Sequence, residues 1–114
     1  MTDPNNLDVA QRDRIEARAF RTLLDHLALR SDVQNVDLMG LAGFCRNCLS
    51  DWLRDAAEAE GVSMDKGEAR AHVYGMAYED WKARHQTPAS EAQIRAMDES
   101  VSRNKALRAA RDRG

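Results

Sequence analysis

Aromatic residues are scarce here. Two Trp, two Tyr and two Phe make up 5% of 114 residues. The core must therefore come mainly from Leu, Ala, Val, Met and Ile, a palette that suits helix packing better than sheet packing. Long apolar runs are also missing: none approaches the roughly 18 to 20 residues that span a bilayer. Met1 to Ala10 is polar and acidic, without the apolar stretch of a secretory signal. These absences lead us to expect a cytoplasmic protein with no membrane partner. Cysteine is limited to two residues, and in a reducing compartment such a pair points to thiols, metal ligands or a redox couple rather than a structural disulfide.

Charge of one sign is lacking as well. The net charge is −2 although 32% of residues are charged. Nucleic-acid binders carry a concentrated basic excess, so no nucleic-acid partner is expected. The exception is the C-terminal end, where Arg103, Lys105, Arg108, Arg111 and Arg113 face only Asp112. A helix dipole favours cations in its last turn, and solvation accounts for the cluster. Enzyme signatures are absent too: no glycine-rich phosphate loop, no HExxH and no GxSxG. A nucleophile pairing a cysteine with His26 lacks an identifiable orienting group or oxyanion hole. An enzyme is not expected.

The 43% hydrophobic content is enough for one modest core, and the length suits one domain. From about Asp8 to Leu29 the spacing predicts a helix. Its apolar face holds Ile15, Ala19, Leu23 and Leu27 with Phe20 and Leu24, opposite Arg14, Arg18, Arg21 and Asp25. Ser31 to Asn35 breaks it, and Asn35 or Asp37 can cap a short apolar turn through Leu41. A second long helix follows from Phe44 to Glu60, with a stripe of Cys45, Cys48, Leu49, Trp52, Leu53 and Ala56, closed by Gly61. Ser63 or Asp65 caps a helix ending at Gly75, and a short one spans Tyr78 to His85. Thr87-Pro88 reads as cap and first residue of the last helix, whose thin stripe is Ile94, Met97 and Val101. No strand-like alternation appears. The expectation is an all-α, single-domain, irregular array of about five helices. Residues 1–7 form a flexible tail, 8–101 the helical domain, and 102–114 a polar, basic helix end.

Cys45-Arg46-Asn47-Cys48 carries the chemistry. At i and i+3 on a helix, two thiols reach a common atom. Helix N-terminal N–H groups and the Arg46 charge favour the thiolate. Three readings are open. A soft metal would take Cys45, Cys48 and His26, the last read as lying on the inward edge of the first helix; zinc or iron suits such a sulfur and nitrogen set. Two buried thiols would leave a non-catalytic interaction module or homo-oligomer. A dithiol redox protein is the third, weakened by the absence of a βαβ context. His72 and His85 read as surface residues. Gln34, Asn35 and Asn47 can satisfy helix-end groups. Trp52, Tyr74, Tyr78 and Trp81 read as core or interface packing.

Asp32-Val33-Gln34-Asn35-Val36-Asp37-Leu38-Met39 is followed by Leu41-Ala42-Gly43-Phe44-Cys45-Arg46-Asn47-Cys48-Leu49. This run resembles domain-of-unknown-function family 1244, short and mostly bacterial proteins. Val73 to Met76 and Tyr78 to Lys82 extend the resemblance from about Phe20 to Gln86. It implies a compact helical fold and supplies no activity.

Overall fold

The computed structural model describes residues 6–114, and the described residues form six α-helices and no strand. Of the tail expected over 1–7, residues 1–5 lie outside the described residues. None of the helices is long and apolar enough to cross a membrane. The chain divides into two compact units, one ending at Arg30 and the other Ser31–Gly114.

The first unit contains one helix, α1 (Val9–Leu29). Asp8 caps it, its carboxylate accepting the Gln11 N–H at 2.7 Å. Leu24 is its buried residue, with Phe20, Leu23 and Leu27 half-buried. Ile15 and Ala19, expected on the inward face, are exposed. His26 is also exposed, a correction to its inward-edge reading. His26, two residues beyond Leu24 on a 3.6-residue helix, lies on the opposite side of α1 from it.

The second unit holds α2 (Asn35–Ala42), α3 (Arg46–Ala59), α4 (Lys66–Tyr74), α5 (Tyr78–His85) and α6 (Glu91–Arg113). Here α2 packs chiefly on α6, α3 on α4, and α4 on α5. The stretch read as a short apolar turn is the whole of α2, with Gln34 rather than Asn35 or Asp37 at its N-cap. Gly40 lets α2 approach α6 closely, since a β-carbon there would meet the Ala96 β-carbon at 3.3 Å. Asp65 caps α4, as expected, through a 2.7 Å bond from the Glu68 N–H.

The last helix starts later than Thr87-Pro88 predicts. Ser90 is its N-cap and forms a capping box with Gln93, and this reciprocal pair fixes the start. The Thr87 N–H instead donates to Gln34 Oε1 at 3.0 Å. Gln93 also donates to Asp37 Oδ1 at 3.0 Å, joining the first turns of α2 and α6. The basic residues after Val101 continue the helix to Arg113, largely exposed.

The core of this unit is small: Cys45, Leu49, Ala57, Ala69, Val73, Tyr74 and Trp81, with Arg46 and Ser50 buried among the polar residues. On α3 the buried face is Arg46, Leu49, Ser50 and Ala57, one position round from the stripe expected. Arg46 causes the rotation, because its guanidinium finds its partners inside. Trp52 is consequently left 48% exposed, stacked on Phe44 with ring centroids 5.9 Å apart.

The α2–α3 turn depends on Gly43, at φ 74°. A β-carbon there would sit 2.5 Å from Asn104 Oδ1, while Asn104 Nδ2 donates to the Gly43 carbonyl at 2.7 Å. Gly43→Ala therefore both strains the left-handed turn and displaces the tie to α6. It should cost about 1–3 kcal/mol, read as a lower urea midpoint with an unchanged slope.

Candidate thiol site at the start of α3

Cys45 enters α3 in extended conformation. Cys45 is the N-cap, at φ −142° and ψ −174°, so the helix begins one residue after it rather than at Phe44. Cys48 follows in the first turn, and the two cysteines approach to 4.1 Å. Both are free thiols, Cys45 buried and Cys48 half-buried. Burial pushes the Cys45 thiol above its ordinary value; the N–H groups of Cys48 and Asn47 pull it down, and the neighbouring sulfur adds to the rise. This reverses the expectation of a stabilised thiolate, because desolvation outweighs the helix terminus. The nucleophilic thiolate that dithiol exchange needs is disfavoured at Cys45.

Arg46 does not present its charge to solvent beside the thiols. It is 2% exposed, and burial lowers its pKa while Tyr74, Cys45 and Asp32 oppose that. Its Nη1 donates to the Val33 carbonyl at 2.8 Å and to Asn35 Oδ1 at 3.1 Å. The guanidinium carbon lies 4.8 Å from the centre of the Trp81 ring. Asn35 Oδ1 also accepts the Arg46 backbone N–H at 3.4 Å, so a residue of α2 satisfies an end group of α3.

From Asn35 a directed chain runs along the floor of the site. Asn35 Nδ2 donates to the Tyr74 oxygen at 3.0 Å, and the Tyr74 hydroxyl donates to Asn47 Oδ1 at 2.7 Å. Asn47 Nδ2 then donates to the Tyr78 oxygen at 3.3 Å. Burial drives the Tyr74 phenol far above its ordinary value, against the pull of the Asn35 bond. The Tyr78 ring carries Arg70 on one contact, 4.4 Å to the centroid, and Lys82 on another, 4.7 Å.

Above this floor lies a cleft of about 290 Å³, bordered by Met39, Cys45, Asn47, Tyr78, Met97 and the linker before α6. Gln34 fixes that linker, donating to the His85 carbonyl at 2.8 Å. A larger hollow of about 430 Å³ beside Arg54, Glu58 and Val62 holds no cysteine, whereas Cys45 borders the cleft. Cys48 Sγ donates to Met39 Sδ at 3.8 Å.

The stretch from 33 to 99, more than half of the chain, matches the sequence profile of a family described as Protein of unknown function (DUF1244). The chain belongs to this family. The DUF1244 match falls entirely within the second unit, and contains the whole thiol site. It begins and ends later than the resemblance from Phe20 to Gln86, taking in the first turns of α6 and leaving out α1. No curated protein matches the chain.

Sequence reasoning put Cys45 and Cys48 together, and the structure does the same. Among the described residues, no three His, Cys, Asp or Glu side chains gather as a metal site. His72 is exposed as expected. His85 is not a plain surface residue: it is half-buried against Trp81, ring centroids 5.5 Å apart. Tyr74 and Trp81 are core, as read, but Tyr74 and Tyr78 also work through their hydroxyls. Met39 was missed. It lies nine residues from Cys48 on another helix, so no local spacing could signal the contact.

Two alkaline titrations follow from these burials. Cys45 and Tyr74 both have raised folded-state pKa values. The stability they contribute is present below the unfolded pKa values, about 8.5 for Cys and 10 for Tyr, and is lost as pH rises through the folded values. Denaturation midpoints should stay level from pH 6 to 8 as far as these two groups contribute, then fall above about pH 8.5. Cys45→Ala should remove the earlier part of that fall, and an unchanged alkaline profile in this variant would contradict the assignment.

Proposed function

We propose that this DUF1244 protein is a non-catalytic metal-binding protein whose ligands centre on the thiols of Cys45 and Cys48. The observation that carries the reading is their approach to 4.1 Å at the first turn of α3, beside an open cleft. A metal bound there displaces two thiol protons, which gives affinity that rises with pH. Zinc or iron would require a further donor to complete the set.

Elemental analysis of untagged protein tests the reading. Wild type should carry about one metal per chain or per pair of chains, with thiols protected until a chelator is added. Cys45→Ser and Cys48→Ser should each lower the content to background. Metal content unchanged in both variants would overturn the proposal.

A second reading is self-association through the face where α2 meets α6. Leu41 is 89% exposed and Leu107 60%, and both border one groove. The same groove carries Glu99 and Arg103 one turn apart on α6, and charges of both signs on one patch suit a two-fold contact between identical copies. Light scattering should then show a dimer that Leu41→Glu dissociates. A monomer across a wide concentration range would rule this out.

A further inference from the structure

Resting on the metal-binding reading, we propose that the third donor is the thioether of Met39 and that the cognate metal is monovalent copper. Three sulfurs converge where α2 meets the start of α3. Cys45 and Cys48 are 4.1 Å apart, and Cys48 Sγ is 3.8 Å from Met39 Sδ. Met39 and Cys45 border the same cleft. With metal–sulfur bonds of about 2.3 Å, the sulfurs of a trigonal site stand about 4.0 Å apart. The 4.1 Å between the cysteines and the 3.8 Å from Cys48 Sγ to Met39 Sδ are both close to that span.

The donor set selects the ion. Thiolate and thioether sulfurs are soft and favour cuprous copper, whereas zinc seeks four ligands and readily accepts imidazole or carboxylate. Among the described residues no third His, Cys, Asp or Glu joins the pair, while a third sulfur stands against it. The charge balance is also suited. Two thiolates and one cuprous ion leave a single negative charge, and the residue that follows Cys45 is the buried cation Arg46. The binding step involves no electron transfer: one cuprous ion enters, two protons depart, and the methionine sulfur donates a lone pair.

Met39 is held in place for this. It lies on α2, whose C-terminal turn closes at Gly43 through the Gly43 N–H to the Met39 carbonyl at 3.0 Å. Asn104 on α6 holds the same turn from the other side. The thioether is thus set by the α2–α6 packing, and the thiols by the start of α3.

The test is anaerobic titration of the full chain with cuprous ion against a chromophoric cuprous chelator, in parallel with a zinc titration. The expected result is one cuprous ion per chain and X-ray absorption showing three sulfur neighbours near 2.3 Å, the usual metal–sulfur length. Met39→Leu conserves volume and should weaken cuprous binding at least tenfold while leaving zinc affinity within twofold. Wild-type cuprous affinity in Met39→Leu, or only two sulfur neighbours in the wild type, would overturn the proposal for Met39 even if the cysteines still hold metal. Failure of both ions to bind, or binding unaffected by Cys45→Ser and Cys48→Ser, would instead overturn the metal-binding reading on which it rests.

Discussion

Burial of the Arg46 guanidinium is the constraint around which the second unit is arranged. A charge removed from water is tolerated only when its hydrogen-bonding capacity is met. The Val33 carbonyl, the Asn35 side chain and the face of Trp81 contribute to meeting it, drawing on the segment before α2, α2 itself and α5. Satisfying this cation requires those elements to come together. The same demand turns α3 so that Arg46, Leu49, Ser50 and Ala57 face inward and Trp52 faces out.

The thiol site follows from that arrangement. Asn35 accepts from Arg46 and donates to Tyr74, Tyr74 donates to Asn47, and Asn47 donates to Tyr78. Each member uses one group to satisfy the previous residue and another to engage the next. Such a chain is favourable when complete and costly when interrupted. Asn47 sits between Cys45 and Cys48 in sequence, so the network also holds the first turn of α3 on which both thiols depend.

The helical fold was legible because it follows from local pattern. Asp8, Asp65, Gly61 and Gly75 mark helix ends by their own chemistry, and the structure places them there. Less legible was anything decided at a distance. Thr87-Pro88 carries a valid start signal, but the Ser90–Gln93 capping box competes with it and Gln34 takes the Thr87 N–H. Arg46 reads as a charge that favours the neighbouring thiolate until its partners on other elements are seen. The cysteine pair was visible as a spacing, whereas the Met39 contact exists only once α2 is folded against α3. His26 was placed by its angular closeness to Ile15 and Ala19, which are exposed, whereas Phe20, Leu23, Leu24 and Leu27 of the same expected face are buried or half-buried.

The measurement that bears most directly on this account is native-state alkylation of the two thiols in Arg46→Lys, compared with wild type. Lysine keeps the charge but lacks the planar fork that engages the Val33 carbonyl and Asn35. If Arg46 organises the site, the variant should unfold at lower denaturant and Cys45 should label much faster than in the wild type, approaching the rate of Cys48. Cys45 protected as in the wild type, in a variant of unchanged stability, would show that the thiol site stands without the buried guanidinium.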